Sequence, residues 1–117
     1  MSEKILTDVK KMIGPSEIYD HFNTDLMIHI NAVFNTLQQM GVGPKNGFSI
    51  STGDETWDDY LNGIEDENLY QMVKSYMYLK VRILFDPPTG SVLTAFQEQI
   101  KEYEWRLSVA PETDWEN

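Results

Sequence analysis

Two histidines are the first residues to consider for chemistry, because imidazole is the side chain best suited to proton transfer near neutral pH. His21 and His29 are the only histidines in the chain. On one helix they would lie about 12 Å apart, at 1.5 Å rise per residue, which is too far to ligate a single metal ion. Asp25 and His29 stand at helical i, i+4 spacing and could share a hydrogen bond. We interpret them as a solvated surface pair.

The densest carboxylate cluster consists of Asp54, Glu55, Asp58 and Asp59. A calcium loop of the EF-hand type needs glycine at its sixth position, where this sequence has Asp59. Acidic residues at this density are typical of a helix start, where the helix dipole favours negative charge. Phosphate-binding glycine motifs and cysteine are both absent from the sequence, which excludes a P-loop and thiol chemistry. The sequence therefore predicts no enzyme, no cofactor and no metal site.

Length and charge narrow the functional classes further. The chain has 117 residues, with nine Lys and Arg against nineteen Asp and Glu, and a formal net charge of −10. One small domain fits this length, and the acidic excess disfavours a phosphate-neutralising surface. The sequence has no run of about 18 apolar residues, and its N-terminus lacks the apolar stretch of a signal peptide. We expect a soluble, non-exported protein.

Glycine and proline divide the first half of the chain into short elements. Apolar residues at helical spacing predict a helix over about 3–13 and a second helix that begins after Asn23 and Thr24 and ends at Met40. The segment 41–56 is either a flexible loop or a short β-arm, because Phe48 and Ile50 alternate with serines. Asp54 is the expected cap of a brief helix over 55–61.

The second half of the chain predicts two long helices. The first runs from about Glu65 to Phe85, and prolines end it because they lack the N–H that a helix needs. Ser91 is the expected cap of the last helix, and so short a connection favours antiparallel packing of the pair. The predicted fold class is all-α: a small helical bundle in a single domain, residues 1–109, followed by a flexible acidic tail, residues 110–117.

This order of elements resembles the head-tail connector (adaptor) proteins of tailed bacteriophages over roughly residues 4 to 109. The opening TDVKKMIG, the short TWDDYLNG helix and the stretch FDPPTGSVLTAFQEQIKEYEWRL after the long helix carry the resemblance. It implies a virion protein without catalytic residues, made in the host cytoplasm and located at the head-tail junction. Such a subunit joins a dodecameric ring beneath the portal, extends the DNA channel and contacts a stopper or tail-completion protein. DNA passes through without specific binding, and no membrane is involved.

Candidate contact residues follow from this resemblance. Mixed-charge and loop positions are the expected subunit interface, namely Phe48, Ile50, Lys74, Arg82 and Arg106. The C-terminal segment is the expected portal-docking element, with Pro111 and Trp115 as contacts. Aromatic side chains are favoured as binding hot spots, although a terminal tryptophan can equally remain in solvent.

The net charge by itself supports a second hypothesis. A small helical protein with a net charge of −10 could be an acidic inhibitor, either an immunity-type protein or a DNA mimic that binds a basic nuclease cleft. A DNA mimic requires carboxylates in two rows spaced like duplex phosphates. The clusters of this sequence look instead like separate helix starts and helix faces.

Overall fold

The computed structural model describes residues 3–14, 22–62 and 64–109. Within them lie five helices and no strand, so the all-α prediction is confirmed. The helices are α1 (Ile5–Ile13), α2 (Asn23–Gln39), α3 (Trp57–Leu61), α4 (Glu67–Phe85) and α5 (Gly90–Ser108). In the described part of the chain, no helix is both long enough and apolar enough to cross a bilayer.

Helix α4 is the centre of the fold. It packs against α1 and α2 on one side and against α5 on the other. Its side chains Val73, Tyr76, Met77 and Val81 are fully buried, in agreement with the apolar periodicity of this segment. The turn 86–89 connects α4 to α5, and Nε of Arg82 donates to the backbone carbonyl of Asp86 at 2.7 Å. The predicted pair of long C-terminal helices is therefore present.

The cap of the short helix differs from the prediction. Thr56, and not Asp54, is the N-cap of α3. The Thr56 hydroxyl accepts from the backbone N–H of Asp59 at 3.1 Å, and the Asp59 carboxylate accepts from the backbone N–H of Thr56 at 2.9 Å. This reciprocal pair is a capping box. Asp54 instead forms an ion pair with Lys4 at 3.0 Å, beside an isolated backbone bridge between Lys4 and Thr56.

The starts of the other four helices also differ from the prediction by about two residues. Helix α1 begins at Ile5 and not at residue 3. Helix α2 begins at Asn23 itself, because the Asn23 side-chain oxygen accepts from Nζ of Lys10 at 3.0 Å and does not cap the helix. Helix α4 begins at Glu67 after Asp66, whose carboxylate accepts from the backbone N–H of Leu69 at 3.1 Å. Thr89, and not Ser91, is the N-cap of α5.

The connector 41–56 is coil in the structure, one of the two alternatives left open by the sequence. The side-chain amide of Asn31 takes the place of a partner strand: its Nδ2 donates to the carbonyl of Ile50 at 2.9 Å, and its Oδ1 accepts from the N–H of Ile50 at 2.7 Å. The Phe48 ring lies edge-on to the rings of Phe34 and Tyr60, at centroid distances of 5.1 and 5.3 Å. The alternation of Phe48 and Ile50 thus fixes a loop onto α2.

Candidate interaction surfaces

A buried carboxylate joins three helices at one side of α4. Asp8 of α1 is 6% exposed, and its Oδ2 accepts from the indole N–H of Trp57 at 2.9 Å. The same oxygen pairs with Nζ of Lys74 at 3.1 Å. Trp57 is fully buried, and its ring lies 6.1 Å from that of Tyr70. Oδ2 of Asp8, the indole N–H of Trp57 and Nζ of Lys74 all have a partner at this junction, as burial requires.

The electrostatics of this junction favour a charged Lys74. Burial alone would lower the pKa of Lys74, but the hydrogen bond and the negative charge of Asp8 outweigh it and raise the pKa above its ordinary value. The ammonium also lies 5.0 Å from the centre of the Tyr70 ring, a cation–π distance. Lys74 was predicted at a subunit interface, and the structure gives it partners within its own subunit. Its interface role stays a prediction.

A second carboxylate organises the loop that precedes α3. The oxygens of Glu55 accept from the backbone N–H groups of Ser51, Thr52 and Gly53 at 2.7, 3.2 and 3.0 Å. Burial alone would raise the pKa of Glu55, but these backbone hydrogen bonds lower it from 4.5 to about 2. The carboxylate cluster that suggested calcium therefore serves loop closure and helix capping. Among the described residues, no group of three or more possible metal ligands comes together.

A third contact links the two long helices. The hydroxyl of Tyr76 donates to Oε2 of Glu104 at 2.8 Å, from α4 to α5. Burial raises the pKa of Tyr76 above its ordinary value. The hydrogen bond to Glu104 and the negative charge of Glu104 raise it further, by smaller amounts. The tyrosine is therefore a hydrogen-bond donor at physiological pH.

Asp25 and His29 do not form a catalytic arrangement. Both Asp25 and His29 are described, and the structure records no hydrogen bond or ion pair between them. The His29 ring instead lies edge-on to the Phe85 ring, at a centroid distance of 6.3 Å. The Phe22 ring also lies edge-on to the Phe85 ring, at 5.5 Å. His21 lies outside the described residues. This agrees with the interpretation of Asp25 and His29 as surface residues.

The remaining predicted contact residues occupy different places. Arg82 lies at the end of α4, with its guanidinium carbon 5.9 Å from the centre of the Phe96 ring. Arg106 is exposed on α5 and pairs with Glu102 of the same helix at 2.6 Å. Ile50 is 3% exposed and Phe48 is half-buried, so both contact the core of their own subunit. Pro111 and Trp115 lie outside the described residues. The described members of this set belong to different elements: Phe48 and Ile50 to the 41–56 connector, Lys74 and Arg82 to α4, and Arg106 to α5.

A groove between α4 and α5 is a feature that the sequence did not predict. It has a volume of about 490 Å³. Its floor contains Ile83, Leu84 and Ile100, and its rim is polar, formed by Lys80, Gln97, Lys101 and Glu104. Leu84 is 47% exposed there. We name this feature the α4/α5 groove.

Helix α5 extends this surface beyond the groove. Trp105 is 66% exposed. Trp105 follows Lys101 by one helical turn and so lies on the same side of α5. Large exposed apolar side chains beside a groove mark interaction surfaces. The sequence signal was present but ambiguous, since Trp105 fits neither the apolar stripe nor the charged face of α5.

Comparison with known protein families gives a match. Residues 5–114 match the family described as phage connector protein, which covers nearly the whole chain. The chain therefore belongs to the phage connector protein family. No curated protein and no solved structure matches it.

Proposed function

We propose that this phage connector protein is a head-tail connector subunit that assembles as a ring on the portal and extends the DNA channel. The observation that carries the proposal is the family match over residues 5–114. The ring links the capsid to a stopper or tail-completion protein on its far side. Its dodecameric stoichiometry comes from the resemblance to adaptor proteins.

The surfaces of the subunit support a role in assembly. Ring contacts between identical subunits are heterologous, so two different surfaces must be complementary. Helix α5 offers exposed apolar groups such as Trp105 beside the charged pair Glu102 and Arg106. Within the proposal, Arg106 and Arg82 pair with carboxylates of one neighbour. Lys74, Phe48 and Ile50 act at the interface indirectly, because they hold the 41–56 loop and α1 in place.

The charge of the protein supports passage of DNA. A net charge of −10 repels phosphates, so a channel surface that shares this excess would not retain the DNA backbone. Acidic side chains at the start of α4, such as Glu65 just before it and Glu67 in its first turn, are exposed and available for such a surface.

The C-terminal segment is the proposed portal contact. It holds Trp115 between Asp114 and Glu116, and Pro111 just after α5. An aromatic side chain among charges is a common anchor at a protein interface.

Reconstitution tests the ring directly. The full-length protein is mixed with purified portal protein and imaged by electron microscopy. The proposal expects an added ring of density coaxial with the portal. Absence of such density under conditions where both proteins are folded and concentrated would contradict it. A monomeric state of the protein alone would not, because assembly can depend on the partner.

The portal contact is tested by a tryptophan variant and a control. Trp115→Ala is expected to weaken portal binding by roughly tenfold or more, as removal of a hot-spot tryptophan does. Ile28→Ala, which removes an exposed apolar side chain of α2 that the proposal does not use, serves as the control for a general loss of apolar surface. Equal binding by wild type and Trp115→Ala would rule out the proposed anchor.

The acidic-inhibitor alternative receives less support from the structure. Several carboxylates that a DNA mimic would display are used within the subunit: Asp8, Asp54, Glu55, Asp59 and Glu104 all have partners there. Salt-sensitive one-to-one binding to a nuclease would nevertheless favour it over the connector role.

A further inference from the structure

The α4/α5 groove combines an apolar floor with two lysines for which the described residues provide no carboxylate partner. Ile83, Leu84 and Ile100 form the floor. Lys80 lies 6.0 Å from the centre of the Tyr76 ring, and the structure records no ion pair for Lys80 or Lys101 within its described residues. This is unusual in a chain with nineteen acidic and nine basic residues. The occupant that fits such a groove has an apolar group flanked by carboxylates.

The groove also contains one carboxylate of its own, Glu104. Its Oε2 accepts from the hydroxyl of Tyr76 at 2.8 Å, so this charge is directed to α4. Lys80 and Lys101 therefore remain available on the rim for an incoming anion.

The chain itself contains a segment of the required chemistry. Residues 110–117 read APETDWEN, in which Trp115 stands between Asp114 and Glu116. We propose that this C-terminal segment binds the α4/α5 groove of its own subunit when the portal is absent. Trp115 occupies the apolar floor, and Asp114 and Glu116 pair with Lys80 and Lys101. The contact itself concerns the isolated subunit and is independent of the proposed function, whereas its consequence for assembly rests on that function.

The tether length permits this contact. From Val109, at the end of α5, the groove residue Lys101 lies about 12 Å back along the helix, at 1.5 Å per residue. Six further residues reach Trp115 and span up to about 20 Å in an extended chain. Trp115 can therefore reach the groove without any change in α5.

This contact would give the segment two competing sites. In the free subunit the groove covers Trp115, and on the portal the same tryptophan is released for docking. The exposed apolar floor of the groove is then covered before assembly and opened by it. Such competition restricts assembly to the portal.

Paramagnetic relaxation in the full-length protein tests the contact. The sequence has no cysteine, so Asn117→Cys provides a single site for a nitroxide label. In a uniformly ¹⁵N-labelled protein, we expect selective loss of amide signal intensity at Ile83, Ile100 and Lys101. Unchanged intensities at these three amides would overturn the proposal.

Charge reversal and tryptophan removal supply the variants. The double variant Lys80→Glu, Lys101→Glu and the single variant Trp115→Ala should each abolish the selective broadening. Lys45→Glu, at an exposed lysine of the 41–56 connector, is the matched control and should retain it. Circular dichroism verifies that each variant is folded. Trp115→Ala changes no residue of the described helices, so it keeps the test decisive if the double variant unfolds. Broadening that persists in Trp115→Ala, or in the double variant where it is folded, would overturn the proposal.

A mixed sample distinguishes the subunit's own groove from that of a neighbour. Spin-labelled protein without ¹⁵N is mixed with ¹⁵N protein without a spin label. Equal intensities with and without the labelled partner support contact within one subunit. Broadening of the groove amides in the mixture would assign the segment to a neighbouring copy and contradict the proposal.

Discussion

Trp57 and Asp8 stand 49 positions apart in the chain, and the indole N–H of Trp57 donates to Oδ2 of Asp8 at 2.9 Å in the protein interior. Lys74 completes the contact from α4. One carboxylate oxygen therefore fixes the positions of α1, α3 and α4 relative to each other. The geometry makes Asp8 more important for stability than its single charge suggests.

We expect Asp8→Ala to lower the free energy of unfolding by about 3 kcal/mol, because it leaves the half-buried Lys74 and the indole N–H without their partner. Glu3→Ala is the control, since it removes an exposed ion pair with Lys11, worth at most about 1 kcal/mol. Urea unfolding followed by circular dichroism measures both. A loss in Asp8→Ala no larger than in Glu3→Ala would contradict the proposed importance of the junction.

Gly41 and Gly43, two glycines at the start of the 41–56 connector, provide a matched pair of substitution sites. Gly43 has φ +104°, and a Cβ there would lie 2.9 Å from the Tyr60 hydroxyl oxygen, whereas Gly41 has φ +86° and open space around it. We expect Gly41→Ala to cost roughly 1 kcal/mol of backbone strain and Gly43→Ala about 3 kcal/mol, because a steric clash is added. Thermal unfolding compares them. Equal costs would show that the Tyr60 ring moves away freely.

The Glu55 carboxylate makes the stability of the protein depend on pH. Its pKa is lowered to about 2 in the folded protein, so its stabilising effect is fully present above pH 4.5 and is lost as the pH falls towards 2. Glu55→Gln removes this charge. We expect wild type to melt at a higher temperature than Glu55→Gln at pH 7, with the difference shrinking below pH 4.5. A difference that stays constant down to pH 2 would exclude the carboxylate as its cause.

The contact between the two long helices is tested by removing one hydroxyl. Tyr76→Phe deletes the donor to Glu104 and is expected to cost about 2 kcal/mol, as for hydrogen bonds to charged groups. Tyr103→Phe is the control, because the structure records no hydrogen bond for the Tyr103 hydroxyl. Chemical denaturation monitors both variants. A cost of Tyr76→Phe that does not exceed that of Tyr103→Phe would show that the bond contributes little to helix pairing.

The sequence predicted the helices well and their caps poorly. Apolar spacing over α4 and the prolines after Phe85 indicated both the longest helix and its end, because both signals are local. The predicted N-cap of α3, Asp54, was wrong. Thr52, Asp54 and Thr56 are all good capping residues, so residue type alone could not choose among them. The bridge between Lys4 and Thr56 favours the last of them, and that bridge is a contact between distant parts of the chain.

Tertiary contacts also explain what sequence reasoning missed in the candidate surfaces. Nothing near Asp8 in the sequence indicates that Trp57 and Lys74 meet it. The α4/α5 groove was missed for a related reason. Apolar spacing over α5 indicates a helix, but it cannot show that the space between α4 and α5 stays open to solvent.

Helix α5 packs mainly on α4 and buries only Ile100 and Leu107 among its own residues. A helix held from one side opens at a lower free energy than one enclosed on several sides, so its amides exchange with solvent sooner than those of α4. The isolated subunit thus has its weakest cooperative unit at the C-terminal end of the fold. Enclosure of α5 by other protein surfaces would place it among the slowly exchanging segments. For this chain, assembly and the last step of folding would then be one process.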